Sequence, residues 1–266
     1  MARVRRALGI RAVGHAGTLD PFATGLLIVL LGRATRLARF VERQVKRYRA
    51  DVVIGTATDT DDRTGTVISE RVPAVWPDEA SVTEALLSLQ GTQLQAPPAY
   101  SARKVAGRRA YAIARSGGVP ELEPREVTVH SIALLRWAPP VATIEAVVSA
   151  GTYVRAIARD LGVRLGSVAH CGALRRESIG GFHAGDAVAL AALSKDAPLL
   201  SPLALLGDMA RVELDADAVR AVGHGRPVPA TPGSVGEVAL VADDRLIAVA
   251  AAEDGYWQPR VVLEAV

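Results

Sequence analysis

The chain has 266 residues, of which 50% are hydrophobic and 22% charged, and it contains a single cysteine. This composition is typical of a globular protein with one large or two smaller domains; it excludes an intrinsically disordered chain, a disulfide framework and a cysteine-rich metal site. The longest apolar run, Leu26 to Leu31, is far shorter than the roughly 20 residues of a membrane-spanning helix, and the first residues lack the apolar segment of a secretory signal. We therefore expect a soluble, cytoplasmic protein that does not bind membranes.

Positive charge is concentrated in two segments. Residues 1–50 carry 11 Lys and Arg but 2 Asp and Glu, whereas the rest of the chain is acidic overall. A second basic cluster contains no acid and consists of Arg103, Lys104, Arg108, Arg109 and Arg115. Basic segments in an otherwise acidic chain favour a surface that binds a polyanion such as nucleic acid. The alternative is that they form solvated faces of an arginine-rich protein.

The first part of the chain is predicted to mix helices and strands. The predicted elements are a helix at 2–8, a buried strand at 25–32, a short helix at 35–42, a half-buried strand at 46–55, a strand at 66–71 and a helix at 79–90. Gly9 is placed to end the first helix, and Thr35 and Asp78 are predicted N-caps. Tyr48 lies on the apolar face of the half-buried strand, whose opposite face is basic.

The second part begins with a long excursion at residues 96–124, of a length that often carries binding elements. Strands are then predicted at 125–137 and 141–149, a helix at 153–165, a strand at 169–179, a connector at 201–209, and short strands and turns from 211 to 263. Because strands and helices do not alternate regularly, the pattern predicts an α+β fold. We expect one domain over residues 1–207 and a small β-rich domain over residues 208–266.

Residues 14–25, GHAGTLDPFATG, form the densest motif, and their glycines and proline predict a shaped loop. Asp20 has no other acid within 20 residues on either side, so its basic neighbours are expected to favour its charged form, which could act as a nucleophile or base. Alternatively, Asp20 only caps a short helix that begins at Pro21.

Arg155 is predicted near the third position of the helix at 153–165, with Thr152 as the cap. A cation in the first turn opposes the helix dipole, so an acidic partner is expected, and Asp20 is a candidate. The alternative is an ordinary surface arginine.

The acidic segment DTDDRTG at 59–65 approaches a calcium-loop pattern but fails it. Asp59 and Asp61 stand at the first and third ligand positions, yet Arg63 and Thr64 replace the fifth ligand and the required glycine. The segment is therefore predicted to be a turn. The histidines outside the glycine-rich loop are too scattered for a metal site: His130, His170, His183 and His224.

Five segments resemble the TruB family of tRNA pseudouridine synthases, in order over nearly all of residues 1–200. They are GHAGTLDPFATGLL, KRYRADVVIGTATDTDDRTG, SARKVAGRRAYAIARSG, GTYVRAIARDLG and CGALRRESIGGF. The resemblance implies a catalytic domain around a central mixed, largely antiparallel sheet, followed by a small PUA-like RNA-binding domain. It also implies an N-terminal strand and loop before residue 2; without them, we expect a loss of stability more than of chemistry.

The resemblance also implies roles for particular residues. Asp20 corresponds to the catalytic aspartate, Arg155 to its partner and Tyr48 to the tyrosine that stacks on the displaced uracil. Leu174 corresponds to the pocket leucine and His15 to the histidine that fills the space of the flipped nucleotide. Without the resemblance, Tyr48 and Leu174 would be interpreted as core residues and His15 as a loop histidine. Further substrate contacts are predicted for Tyr153, Arg103, Lys104, Arg108 and Arg109.

The activity implied by the resemblance is the isomerisation of uridine 55 to pseudouridine in the T-loop of tRNA. The base would be flipped out of its stack and attacked with the help of Asp20, without cofactor or metal. We expect a monomer that binds the T-arm and T-loop. The alternatives are a non-catalytic tRNA-binding or folding chaperone, and a pseudouridine synthase that acts on another RNA.

Overall fold

The computed structural model describes residues 1–100, 104–105, 108–109, 113, 118 and 122–264. The chain forms two compact units: the first consists of Met1–Thr18, Leu27–Arg43 and Ala187–Val266, and the second of Leu19–Leu26 and Gln44–Asp186. In the described part of the chain, no helix is both long and apolar enough to span a bilayer. The division into a catalytic domain and an RNA-binding domain at residue 207 stays a prediction.

The described helices are short. The α-helices are α1 (Ala2–Leu8), α2 (Ala38–Glu42), α3 (Glu79–Leu87), α4 (Val154–Arg164) and α5 (Ala216–Gly223). Short 3-10 helices cover Gly32–Leu37, Ala184–Asp186 and Pro202–Leu206.

The other regular elements that the structure describes are strands. They are β1 (Val13–Ala16), β2 (Thr24–Gly25), β3 (Ile28–Leu31), β4 (Lys46–Ile54), β5 (Thr56–Thr58), β6 (Val67–Glu70), β7 (Gly91–Gln95), β8 (Lys104–Val105), β9 (Arg108–Arg109), β10 (Arg125–Ala138), β11 (Val141–Val148), β12 (Ala169–Ile179), β13 (Phe182–His183), β14 (Arg211–Glu213), β15 (Val228–Pro229), β16 (Glu237–Ala242), β17 (Arg245–Glu253) and β18 (Tyr256–Val262).

The second unit is built around a mixed sheet. The strand order is β13-β12-β4-β11-β10-β7 with antiparallel pairs, and β2 adds a parallel pair to β12. Helix α4 packs on β12 and β4, and α3 packs on β10. Val52 and Ile54 are buried with Ile157 and Leu161 of α4 in one core cluster, since every second residue of β4 from Tyr48 to Ile54 is apolar and faces inward. This architecture confirms the predicted α+β class with a central mixed, largely antiparallel sheet.

The first unit contains a five-stranded sheet in the order β14-β16-β17-β18-β15, together with the antiparallel pair β1–β3. Val222 of α5 is buried against the apolar face of the larger sheet. This confirms the predicted β-rich C-terminal segment. Helix α5 was not predicted from the sequence, although Asp215 caps it by accepting a hydrogen bond from the Ala218 N–H at 2.8 Å.

Three predicted local features are wrong. The buried strand predicted at 25–32 is divided between β2 and β3, and Leu27 to Val29 are half-buried. The Thr35 hydroxyl donates to the Gly32 carbonyl at 2.8 Å inside a 3-10 turn and caps no helix. Helix α4 begins after Tyr153, so Arg155 is its second residue, and the Thr152 hydroxyl contacts Ser149 Oγ and does not cap the helix.

The predicted strands at 46–55, 125–137, 141–149 and 169–179 and the Asp78 cap are confirmed. Asp78 Oδ1 accepts from the Ser81 N–H at 2.8 Å, which starts α3. Gly9 ends α1 in the left-handed conformation at φ 69°. These elements follow from local periodicity and capping, which a sequence carries directly.

Candidate active site

Asp20 and Arg155 form a two-pronged ion pair within the second unit. Arg155 Nε donates to Asp20 Oδ2 and Arg155 Nη2 donates to Asp20 Oδ1, both at 2.9 Å. The Arg155 side chain is 3% exposed, whereas that of Asp20 is 30% exposed. A planar guanidinium that binds both carboxylate oxygens fixes the direction of the carboxylate as well as its position. The arrangement leaves the carboxylate open to a reactant while its counterion is buried.

Arg155 also binds the acidic segment at 59–65. Its Nη1 donates to the Thr60 carbonyl at 2.8 Å and lies 3.3 Å from Asp62 Oδ2, and its Nη2 donates to the Tyr100 carbonyl at 3.0 Å. Asp62 is buried, and its Oδ1 accepts from the Thr64 hydroxyl at 2.6 Å and from the Thr64 N–H at 2.9 Å. One guanidinium therefore joins two carboxylates, Asp20 and Asp62.

A second arginine, one helical turn further along α4, holds the same segment. Arg159 Nη1 lies 3.1 Å from Asp61 Oδ2, and Arg159 Nη2 donates to the Ala96 carbonyl at 3.1 Å. Residues four apart on a helix lie on one face, so Arg155 and Arg159 clamp residues 59–65 together. This function of the segment was not predicted from the sequence, although its signal is there: adjacent acids at 59–62 and two arginines four residues apart.

Burial dominates the electrostatics of the two carboxyl groups. Burial raises the pKa of Asp20 above its ordinary value, and the opposing effect of Arg155 does not cancel that rise; the Asp62 charge adds to it. Burial likewise raises the pKa of Asp61, against the effects of Arg159 and Arg155. Arg155 thus favours the charged form of Asp20, as expected of a cationic neighbour, but desolvation outweighs this effect and the net pKa is raised.

The N-terminus of α4 is fixed by a buried glutamine. Gln95 Oε1 accepts from the Tyr153 N–H at 2.8 Å, and Gln95 Nε2 donates to the Tyr153 carbonyl at 3.2 Å. This reciprocal pair ties the first residue before α4 to the end of β7. It positions the turn from which Arg155 projects, and Tyr153 itself is half-buried.

Tyr48 and Leu174 lie on neighbouring strands of the same sheet. Both are buried, and Leu174 on β12 is directly opposite Ala50, two residues from Tyr48 on β4. Burial raises the pKa of Tyr48, while the charge and a hydrogen bond of Arg176 act in the opposite direction. Asp20 also affects the pKa of Tyr48, raising it through its charge. Asp20, Arg155, Tyr48 and Leu174 thus all belong to the second unit.

The remaining predicted substrate contacts lie elsewhere or outside the described residues. His15 is in β1 of the first unit, with its Nδ1 buried and without a hydrogen-bond partner among the described residues. Arg103 and Arg115 lie outside the described residues. For the other basic residues, the backbone alone is described: Lys104 in β8 pairs with Arg109 in β9, and Val105 with Arg108.

A cavity of about 190 Å³ lies in the second unit. Its lining includes Phe22, Thr24 and Leu174 together with Arg49, Arg63 and Arg175. Asp20 and Tyr48 do not line it, so the cavity lies beside the Asp20 carboxylate and does not enclose it. Within the described ranges, no three His, Cys, Asp or Glu side chains form a cluster that could hold a metal ion.

Cys171 is a buried thiol in β12. Burial raises its pKa to about 12, with a further contribution from Asp62. A thiol with this pKa stays protonated at neutral pH, so Cys171 is a core residue and not a nucleophile.

Comparison with known proteins identifies relatives along the whole chain. Residues 5–154 match the family model described as TruB family pseudouridylate synthase (N terminal domain). A protein named tRNA pseudouridine synthase B from Gloeobacter violaceus is 41% identical over 99% of this chain and 93% of its own length. A protein of the same name from Symbiobacterium thermophilum is 45% identical over 85% of this chain and 76% of its own.

Solved structures agree at the level of the fold. The crystal structure of the archaeal box H/ACA sRNP Nop10-Cbf5 complex contains a chain with a TM-score of 0.72 and 22% identity, and the alignment covers 99% of this chain and 81% of that chain. At this identity, the likeness concerns the fold. The family match over more than half of the residues and the relatives aligned along nearly the whole length show that this chain belongs to the TruB family of pseudouridylate synthases.

Proposed function

We propose that this protein converts uridine 55 in the T-loop of tRNA to pseudouridine. The observation that carries the proposal is the ion pair of Asp20 with Arg155, in which an accessible carboxylate is aimed by a buried guanidinium. The names of the relatives, tRNA pseudouridine synthase B, support tRNA as the substrate. The resemblance of the GHAGTLDPFATG and GTYVRAIARDLG segments supports the choice of the T-loop uridine.

Asp20 supplies the nucleophile in this proposal. Its carboxylate attacks C1′ of the ribose or C6 of the base, or assists elimination at C2′, and the glycosidic C1′–N1 bond breaks. The uracil then rotates and rejoins through C5, N1 gains a proton and C5 loses one, so that product and substrate are isomers. Arg155 holds the carboxylate in one direction throughout and favours its ionised form.

The target base must leave its stack before it can react. Flipping a base costs a few kcal/mol, which contacts to the extruded base and to the RNA backbone offset. We assign Tyr48 and Leu174 to the two faces of the uracil, His15 to the vacated position in the RNA stack and Tyr153 to the rim of the pocket. Arg103, Lys104, Arg108 and Arg109 are assigned to phosphates of the T-arm.

The proposal includes the organisation of the protein. Residues 1–207 would carry the catalysis and residues 208–266 a PUA-like contact to RNA, in a monomer that works in the cytoplasm. None of the proposed steps uses a cofactor.

An assay with unmodified tRNA transcript tests the proposal. We expect stoichiometric pseudouridine at position 55 and none elsewhere when the product is mapped base by base. A transcript in which uridine 55 is replaced by cytidine serves as the control and should remain unmodified. Tight binding without conversion would contradict the proposal in favour of a non-catalytic tRNA-binding protein, and conversion only in another RNA would contradict the assigned target.

A further inference from the structure

Arg176 is a fully buried arginine beside the candidate site. It lies on β12, and its side chain is 1% exposed, although the preceding residue on the same strand, Arg175, is exposed. In the sheet, Arg176 stands between two strands: it is opposite Tyr48 on β4 and opposite Gly25 on β2. Burying a guanidinium is costly unless its donors are used, so its contacts indicate what it holds in place.

The first contact of Arg176 is to the end of the loop that carries Asp20. Arg176 Nε donates to the Leu26 carbonyl at 2.9 Å, and the Arg176 carbonyl accepts from the Leu26 N–H at 2.9 Å. Gly25, at φ 94°, passes so close that a Cβ there would collide with the Arg176 carbonyl. The backbone six residues after Asp20 is therefore held by Arg176 through both its side chain and its main chain.

The second contact of Arg176 is to Tyr48. Arg176 is directly opposite Tyr48 in the pairing of β12 with β4. At this position the charge of the guanidinium and its hydrogen bonding to the phenol lower the pKa of Tyr48 against the effect of burial. A tyrosine hydroxyl that is bonded inside the protein fixes the orientation of its ring. Arg176 thus contacts Tyr48, whose ring stacks on the base in the proposed function, and the end of the loop that carries the proposed nucleophile Asp20.

We propose that Arg176 is a positioning residue that couples the Tyr48 ring to the loop carrying Asp20, so that ring and nucleophile keep one geometry around the flipped uracil. This inference rests on the proposed function. A lysine cannot replace Arg176, because a single ammonium group does not reproduce the planar fork that reaches the Leu26 carbonyl and the phenol together. Arg176 does not touch the substrate in this arrangement; it acts through Tyr48 and the loop.

The kinetic test uses Arg176→Lys, Tyr48→Phe and the double variant, with unmodified tRNA transcript under single-turnover conditions. We expect each single variant to lower the rate in the bound complex about 10- to 100-fold, with the dissociation constant for tRNA within about threefold of wild type. The double variant should be about as slow as the slower single variant, because both substitutions break the same link. Arg164→Lys, at an exposed arginine on α4, is the matched control and should keep the wild-type rate.

Two results overturn the inference. One is an Arg176→Lys rate within about threefold of wild type; the other is a double variant whose loss is the product of the two single losses. Should Arg176→Lys fail to fold in a thermal-unfolding assay, Tyr48→Phe decides alone, since it removes the hydroxyl and keeps the arginine. A Tyr48→Phe rate within about threefold of wild type then overturns the inference.

A spectroscopic readout separates this inference from the proposed function. The phenol of Tyr48 can be titrated by its absorbance as the difference between each protein and its Tyr48→Phe counterpart. Loss of the arginine fork should move the pKa of Tyr48 further upward in Arg176→Lys. An unchanged pKa of Tyr48 in Arg176→Lys overturns the coupling. A wild-type protein that modifies no tRNA uridine overturns the proposed function, and the titration then still tests whether Arg176 is coupled to Tyr48.

Discussion

The arginines of the two units are engaged in different ways. In the second unit, Arg155 and Arg176 are buried and bind carboxylates, loop carbonyls and a phenol. In the first unit, Arg33 and Arg36 donate to the Leu263 and Val262 carbonyls at 3.0 and 2.8 Å, and both arginines remain exposed, so solvent can compete for these bonds.

This difference shows that the number of basic residues in a segment is a poor measure of its RNA-binding surface. The segment at 1–50 is strongly basic, yet Arg33 and Arg36 bind carbonyls at or just after the end of β18. Arg39 binds the Glu237 carboxylate at 2.7 Å. A buried guanidinium cannot exchange its protein partners for water without a large cost, so it fixes geometry, whereas an exposed one contributes little to stability.

Removal of the charge on Asp20 should have the largest effect. We expect Asp20→Asn to abolish isomerisation while tRNA affinity stays within about tenfold of wild type, because the nearly isosteric change removes only the nucleophilic charge. Single-turnover conversion and filter binding with the same transcript measure the two quantities. Appreciable turnover in a carefully purified variant would exclude Asp20 as the nucleophile.

Truncation of a buried arginine should destabilise the protein far more than truncation of an exposed one. Arg155→Met should lower the free energy of unfolding by about 3–5 kcal/mol, because it leaves the buried Asp62 carboxylate without its counterion. Arg39→Met should cost at most about 1 kcal/mol, since the pair with Glu237 is exposed to solvent. Denaturant unfolding of both variants checks the comparison, and equal losses would contradict it.

The acid limb of the pH–rate profile should report the environment of Asp20. Since burial raises the pKa of Asp20 above its ordinary 3.8, activity should be lost as the pH falls through that raised value. Asp62→Asn removes a negative charge that contributes to the rise, so it should move the acid limb to lower pH. Asp160→Asn is the control, because its carboxylate binds Arg159 and should leave the limb in place. A shift of the Asp62→Asn limb to higher pH would contradict this electrostatic account.

The two basic segments should differ in their share of the salt dependence of tRNA binding. Replacing Arg108 and Arg109 together by glutamine should reduce the slope of log affinity against log salt by about 1–2, at roughly 0.9 per phosphate contact. Replacing Arg36 and Arg39 should reduce it by less than about 0.5, because these side chains bind Val262 and Glu237. The comparison fails if the second pair changes the slope more than the first.

Sequence patterns sufficed for elements whose signal is local. The alternation around Tyr48 predicted β4, and Asp78 and Gly9 marked helix ends, because side-chain periodicity and capping depend on neighbours in the chain. Sequence patterns gave wrong predictions where tertiary packing overrides the local preference of the chain. Leu26 to Leu31 suggest one buried strand, but the chain leaves the second unit and enters the first there, and Thr35 lies within a turn that follows directly on β3.

In the candidate site, too, some features could be predicted from local sequence and others depended on tertiary packing. The resemblance of the motifs to the TruB family identified Asp20, Tyr48, Arg155 and Leu174 as candidate site residues. The catalytic roles of these residues stay predictions. The acids at 59–65 and the arginine pair of α4 were visible as residues but not as partners, because more than 90 positions separate Asp62 from Arg155. Similarly, a leucine-arginine-arginine run does not reveal which arginine is buried; the pairing register of β12 with β4 and β2 decides that.

The order of strands and helices in the sequence was enough to predict the α+β class. The resemblance of contiguous motifs indicated the family and made Asp20 the nucleophile candidate. The tertiary structure alone decided that Arg155 joins two carboxylates, that Arg176 faces inward and that desolvation raises the pKa of Asp20 despite its basic neighbours. The physical reason is that partnership and burial depend on distances in space. These distances arise only when strands and helices far apart in the chain pack together, and the electrostatic energy of a charge is set by that packing.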